Sequence, residues 1–158
     1  MIDEFGDGLL RAATTQALAL GFAPADRQGL HRTLTKAGFP NGLQLRAGLV
    51  VQREDGSLVD RFRNRLMIPI FRDTGSVIAF GGRAVDAGQQ PKYLNSPETP
   101  IYSKGRTLYG LNLSKAAIRQ GNFAIVVEGY FDFAQVYQAG IQRSEEHTSE
   151  LQSQSTIS

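Results

Sequence analysis

The segment Phe123-Ala124-Ile125-Val126-Val127-Glu128-Gly129-Tyr130-Phe131-Asp132 constrains the fold of this chain more than any other. Its unbroken apolar run reads as a strand of a parallel sheet, buried on both faces. Glu128 then stands at the carboxyl end of that strand, Gly129 permits a tight turn, and Asp132 to Gly140 are expected to continue as a helix. Strand, turn and helix in this order form the first unit of a doubly wound sheet, where ligands gather at strand ends. Leu113 to Gln120, stopped by Gly121, predict the helix that leads into it.

Upstream the pattern changes to antiparallel ribbons. Leu30, Leu34 and Ala37 have helical spacing, and Gly38-Phe39-Pro40-Asn41-Gly42 ends that helix, which is expected to pack on a sheet. Val50-Val51 and Leu58-Val59 flank Asp55-Gly56, a two-residue hairpin signal because Asp-Gly tolerates positive φ. A second ribbon pairs Leu66 to Phe71 with Val77 to Phe80 through Asp73-Thr74-Gly75-Ser76; Pro69 there predicts an edge or bulge position. Pro97 and Pro100 make residues 91 to 110 an extended loop. The fold class expected is α+β: a mixed α/β basic subdomain followed by the first β-α unit of an α/β fold.

Charge is concentrated. Formal net charge is +2 over 158 residues, and Arg143 against Glu145, Glu146 and Glu150 leaves residues 1 to 142 at +4. Between Asp60 and Arg106, eight Arg or Lys stand against four acidic residues, which suits a polyanionic partner. The sequence has no cysteine, so disulfides and Cys-ligated zinc are excluded. No apolar run approaches the roughly 20 residues of a membrane helix, and the acidic start lacks the basic region of a signal peptide. A cytoplasmic protein without membrane contact is expected.

Several residues carry candidate chemistry. Arg61, Arg63 and Arg65 alternate, so on one strand they would share a face that tracks a nucleic-acid backbone or that deters edge pairing. Arg83 offers a planar fork to phosphate, or is a solvated surface arginine. Lys92, Tyr93, Asn95 and Lys104 combine ammonium, ring and amide groups suited to phosphate, base and sugar. Glu128 and Asp132 bring two carboxylates to one turn; as hard oxygen ligands they suit Mg²⁺ or Mn²⁺, or they serve the following helix as caps.

Phe80-Gly81-Gly82-Arg83, Lys92-Tyr93-Leu94-Asn95-Ser96-Pro97-Glu98-Thr99 with Lys104-Gly105, and Glu128-Gly129-Tyr130-Phe131-Asp132 together resemble the catalytic core of bacterial DnaG-type DNA primases, the last being similar to the opening of a TOPRIM fold. The resemblance implies short RNA primers made from ribonucleoside triphosphates on a single-stranded DNA template. It implies Glu128 as catalytic carboxylate and metal ligand, with Asp132 supporting it. It implies Arg61, Arg63, Arg65, Arg83, Lys92, Tyr93, Asn95 and Lys104 as the surface for nucleic acid and nucleotide. Mg²⁺ or Mn²⁺ would be the cofactor, with later acidic motifs of the TOPRIM fold expected beyond residue 142. Zinc belongs to a separate template-selecting module of the family, and the replicative helicase to a separate domain, both expected outside this sequence. Competing readings are a non-catalytic single-stranded DNA-binding module, another TOPRIM enzyme such as a nuclease or topoisomerase, and a phage primase-helicase.

Arg143 to Ser153 reads as the translation of a common sequencing adapter, and Ser, Thr, Gln and Glu without aromatics do not bury enough apolar surface to order a chain. The expected organisation is an N-terminal segment over 1–20 outside the motifs, a primase-core subdomain over 21–121, a truncated TOPRIM start over 122–142, and a non-native, disordered tail over 143–158. A chain so divided is expected to be inactive by itself.

Overall fold

The computed structural model describes residues 10 to 142 and 144 to 147. These divide into two compact units, one of Gly21–Met67 and Phe80–Ser103, the other of the described residues before Gly21, Ile68–Ala79, and the described residues from Lys104 onward. Residues on both sides of 121/122 belong to one unit.

The first unit starts with β1 (Gly21–Ala23), α2 (Gly29–Lys36) and α3 (Asn41–Arg46), following α1 (Ala12–Ala17) of the other unit. Sequence reading found α2 but neither β1 nor α3, whose first two residues, Asn41 and Gly42, end the segment taken as a stop. Gln44 of α3 explains that helix. Its buried side chain donates to the Thr35 hydroxyl and the Phe39 carbonyl and accepts from His31 Nδ1 at 2.9 Å, fastening α3 to α2. The His31 ring thus carries a structural bond.

β2 (Val50–Gln52) and β3 (Leu58–Asp60) form an antiparallel ribbon with Gln52 opposite Leu58. The turn is longer than the two-residue one expected: Arg53 N–H donates to Ser57 O, Gly56 N–H donates to Arg53 O, and Gly56 has φ +80°. This is the three-residue loop in which glycine takes the left-handed position. The second ribbon repeats it, with Arg72 and Ser76 closing the turn and Gly75 at φ +95°.

That second ribbon is β4 (Arg65–Phe71) and β5 (Val77–Ala84), within a four-stranded sheet ordered β1-β4-β5-β6, where β6 is Tyr93–Asn95. Pairing with β1 covers only Arg65 to Met67 of β4, so Pro69 lies in the stretch that β1 does not reach, and its missing N–H costs no ladder bond to β1. Phe62, Leu66 and Tyr102 are buried in this unit, and Phe62 meets Phe80 edge to face at 6.4 Å.

In the other unit, β7 (Leu108–Tyr109) leads to α4 (Leu111–Gly121), β8 (Ile125–Val127), α5 (Tyr130–Gln138) and β9 (Ser144–His147), with sheet order β7-β9-β8. Helix α4 ends one residue later than expected: Gly121 is its last residue and Asn122 takes the left-handed cap at φ +54°. Its core joins Tyr109, Tyr130 and Phe133, with ring centroids 4.8 and 5.1 Å from Tyr109 in edge-to-face pairs.

Two expectations are corrected here. Residues 144 to 147 are not without structure: β9 runs parallel to β8 and antiparallel to β7. The remaining residues of the tail lie outside the described ones. Strand β8 is parallel as expected but not buried, since Val126 is 63% exposed and Phe123 and Ile125 are exposed as well. Its sheet ends at β8, so among the described residues no further strand pairs with its other edge.

Candidate nucleic-acid interface and acidic turn

The structure places seven of the candidate residues, Arg61, Arg63, Arg65, Arg83, Lys92, Tyr93 and Asn95, in the first unit, and Lys104, Glu128 and Asp132 in the other.

In the first unit the edge is built by β5 and β6. Arg83 pairs directly with Tyr93 and Gly81 with Asn95. Opposite residues of an antiparallel pair, and every second residue along a strand, share a face, so Arg83, Tyr93 and Asn95 lie on one side. Gly81 adds no side chain there. Lys92 is exposed, just before β6, with its Nζ 6.0 Å from the centre of the Tyr93 ring, at the limit of a cation–π contact. Ser96 fixes the end of β6: its N–H donates to Phe80 O at 2.8 Å and its hydroxyl accepts the Phe80 N–H at 3.0 Å. The β6 edge is thus held rigid while presenting cation and ring.

The Arg61-to-Arg65 run behaves differently from the alternating strand face expected. Only Arg65 belongs to a strand; Arg61 to Asn64 form the connection from β3, and Asn64 takes φ +49°. The three guanidinium groups therefore share no strand face. Arg61 is half-buried and donates to Asn95 O at 3.2 Å, and burial lowers its pKa. Arg63 donates to the main-chain carbonyl of Asp60. Arg65 is only 3% exposed, so its place on a solvent-facing binding surface is corrected; burial, and secondarily the neighbouring Arg63 charge, lower its pKa. Sequence inspection also missed Asn64 and Gln89, which bond across this region without any motif to mark them.

In the other unit Lys104 opens a short 3-10 turn, Lys104–Arg106. Glu128 follows β8 and is exposed, and Asp132 sits in the first turn of α5 and is exposed too. A Cβ at Gly129 would meet Asp132 Oδ2 at 2.9 Å, so the Asp132 carboxylate folds back over the turn that Gly129 makes. Tyr130 and Phe133, buried, anchor the turn from below. The two acids fit a divalent cation in donor type, both being hard oxygen ligands on one short turn. Among the described residues no group of three or more His, Cys, Asp or Glu is arranged to hold a metal. No helix among the described residues is long and apolar enough to cross a membrane.

The described residues thus form a mixed α/β scaffold with cationic side chains along one sheet edge and, in the other unit, two carboxylates on a strand-end turn. Residues 7 to 115 match the family model described as DNA primase catalytic core, N-terminal domain. The match reaches back into the segment before residue 20 that carries no motif. A DNA primase from Synechococcus elongatus is 48% identical over 134 residues, covering 84% of this chain and 19% of that protein. The RNA polymerase domain of Mycobacterium tuberculosis primase DnaG superposes with a TM-score of 0.82 at 35% identity, covering 88% of this chain and 45% of that one. A DnaG primase catalytic domain solved bound to single-stranded DNA gives 0.77 at 38% identity, covering 87% and 43%. This chain belongs to the DnaG-type DNA primase family. It spans about a fifth of the length of the curated relative and less than half of the solved chains.

Proposed function

We propose that the chain is part of a primase that makes short RNA primers on single-stranded DNA, the β5–β6 edge holding template or incoming nucleotide and the acidic turn contributing to a cation site. The observation that carries this reading is the shared face of Arg83 and Tyr93 beside exposed Lys92, in a chain of the primase family; Asn95 lies on that face but is buried. One relative's catalytic domain is bound to single-stranded DNA, which supports the same ligand here.

Each group has a physical role. Lys92 and Arg83 neutralise phosphates, and Tyr93 gives a base a ring to stack on. Glu128 and Asp132 would hold Mg²⁺ or Mn²⁺, which, when bound, neutralises triphosphate charge and orients the attacking oxygen. The two carboxylates are water-accessible and anchored by buried aromatics, so they can take up a cation without refolding the turn. Two carboxylates do not complete such a site, so the chain by itself is not expected to polymerise. RNA primer and ribonucleoside triphosphates are the remaining ligands of this reading, the replicative helicase a partner of the whole protein, and the cytoplasm its compartment.

The test is single-stranded DNA affinity across a salt series for Lys92→Ala and Arg83→Ala. Each lost phosphate contact should flatten the log–log salt slope by about 0.7. Slopes and affinities equal to those of the unaltered chain would overturn the assignment.

A further inference from the structure

We infer that Arg65 is a positioning residue: it holds the 85–92 loop and thereby sets the Lys92–Tyr93 edge, rather than touching nucleic acid. The inference deepens the proposed nucleic-acid edge and rests on that reading for its functional consequence.

One nitrogen of the Arg65 side chain, Nη1, points at three main-chain carbonyls, Pro91 at 2.8 Å, Gly82 at 3.3 Å and Lys92 at 3.5 Å. Those carbonyls belong to β5 and to the two residues that enter β6. The Lys92 carbonyl also accepts the Ala84 N–H at 2.8 Å, so the guanidinium and the ladder converge on one peptide. The residues before Arg65 grip the same loop. Arg63 O accepts from Gln89 Nε2 at 2.9 Å, Asn64 O accepts the Val85 N–H at 3.4 Å, and Asn64 Nδ2 donates to the Asp86 carboxylate at 2.7 Å. Arg63 to Arg65 thus form a bracket along the 85–92 loop.

Space has been left for it. A Cβ at Gly82 would stand 2.9 Å from Phe62 Cδ1 and 3.0 Å from Arg65 Cδ, so the glycine admits the arginine stem between strand and ring. Removing a guanidinium from water is costly unless it is well bonded, and Arg65 is bonded to carbonyls, not to a carboxylate. Carbonyl partners leave the cation's charge uncompensated. A lysine would keep that charge, but its ammonium sits one bond nearer the main chain than Nη1 and does not reach the Pro91 carbonyl from the same stem.

The experiment uses the 158-residue chain and a fluorescein-labelled oligothymidylate, with anisotropy titrations over a salt series and amide hydrogen exchange on each variant. Arg65→Lys is expected to weaken binding about tenfold, the loss of a charge-assisted hydrogen bond, with the salt slope unchanged and faster exchange over residues 85 to 92. A flattening of the slope by about 0.7 in Arg65→Gln would make Arg65 a direct phosphate contact and overturn the inference. Unchanged affinity in a folded Arg65→Lys chain would also overturn it, reducing Arg65 to a packing role. If Arg65→Lys does not fold, Gln89→Ala removes a parallel arm of the bracket and is expected to give the same weakened affinity, unchanged slope and faster loop exchange. If the unaltered chain fails to bind the oligonucleotide, the proposed edge is wrong, and the exchange of the 85–92 loop alone decides whether Arg65 holds it.

Discussion

The buried Asp60 carboxylate accepts the backbone N–H of His31 at 2.8 Å, and its second oxygen accepts that of Leu30 at the same distance. Residue 60 ends β3, and these two N–H groups open α2, so one side chain fastens helix to ribbon and satisfies donors that no helix can satisfy internally. Asp60→Ala should destabilise the chain by about 2 kcal/mol through the loss of both bonds. Asp60→Asn should recover part of that. Chemical denaturation of the two variants checks the order.

Gly110 is the corresponding fixture of the other unit. It has φ +82°, its carbonyl accepts from the Leu113 and Ser114 N–H groups and the Ser114 hydroxyl, and a Cβ there would meet the Phe133 ring at 2.3 Å. Gly110→Ala combines left-handed strain with a collision against a fully buried ring, and a loss of about 3 kcal/mol is expected. Phe133→Leu in the Gly110→Ala background should relieve the collision but not the strain, recovering about half. Thermal unfolding of single and double variants reads the coupling.

How much of this was legible in the sequence depended on whether the determining interaction was local. The ribbons were, because Asp55-Gly56 and Thr74-Gly75 write their turn into adjacent residues; only the loop length was misjudged, since Arg53 and Ser57 close it by backbone bonds that any residue can make. Helix α3 was not legible: its anchor, Gln44, is a polar residue made buriable by partners on α2 and in the link before α3. The acidic turn was placed correctly by Gly129 and the apolar run before it. The arginine run misled because alternation predicts a shared face only on a strand, and Asn64 breaks the strand with a left-handed backbone. The burial of Arg65 is shaped by Gly82 and Phe62, some 20 residues apart in sequence, which no local pattern reveals.

Asp55 carries a prediction about pH. Its carboxylate accepts the Ser57 hydroxyl at 2.6 Å and the Ser57 N–H at 2.9 Å, and these bonds, the hydroxyl first, hold its pKa below the ordinary 3.8. A depressed carboxylate pKa contributes stability above the unfolded value, and that contribution is lost as pH falls through the folded pKa. The turn should therefore loosen only below about pH 3.8. Ser57→Ala removes the hydroxyl and should move the Asp55 titration upward in a carboxylate-resolved NMR experiment. An unmoved titration would show that the hydroxyl bond does not stabilise the charge.

Glu128 and Asp132 differ in what should follow from their loss. Glu128 stands at the strand end, exposed, while Asp132 is folded back over Gly129 in the first turn of α5, where its charge also favours the helix. Neutralising Glu128 removes a hard ligand without touching a helix. In a complete primase carrying this segment, Glu128→Gln should lower primer synthesis by roughly 10²-fold or more, with single-stranded DNA affinity and stability nearly unchanged. Asp132→Asn should lower synthesis less and reduce stability by about 0.5 kcal/mol through the weakened helix start. Chelation of divalent cations should abolish synthesis in the unaltered protein, and added Mg²⁺ or Mn²⁺ should restore it there but not in Glu128→Gln. Full synthesis by Glu128→Gln would remove the cation role from the strand end and leave Glu128 an ordinary surface carboxylate.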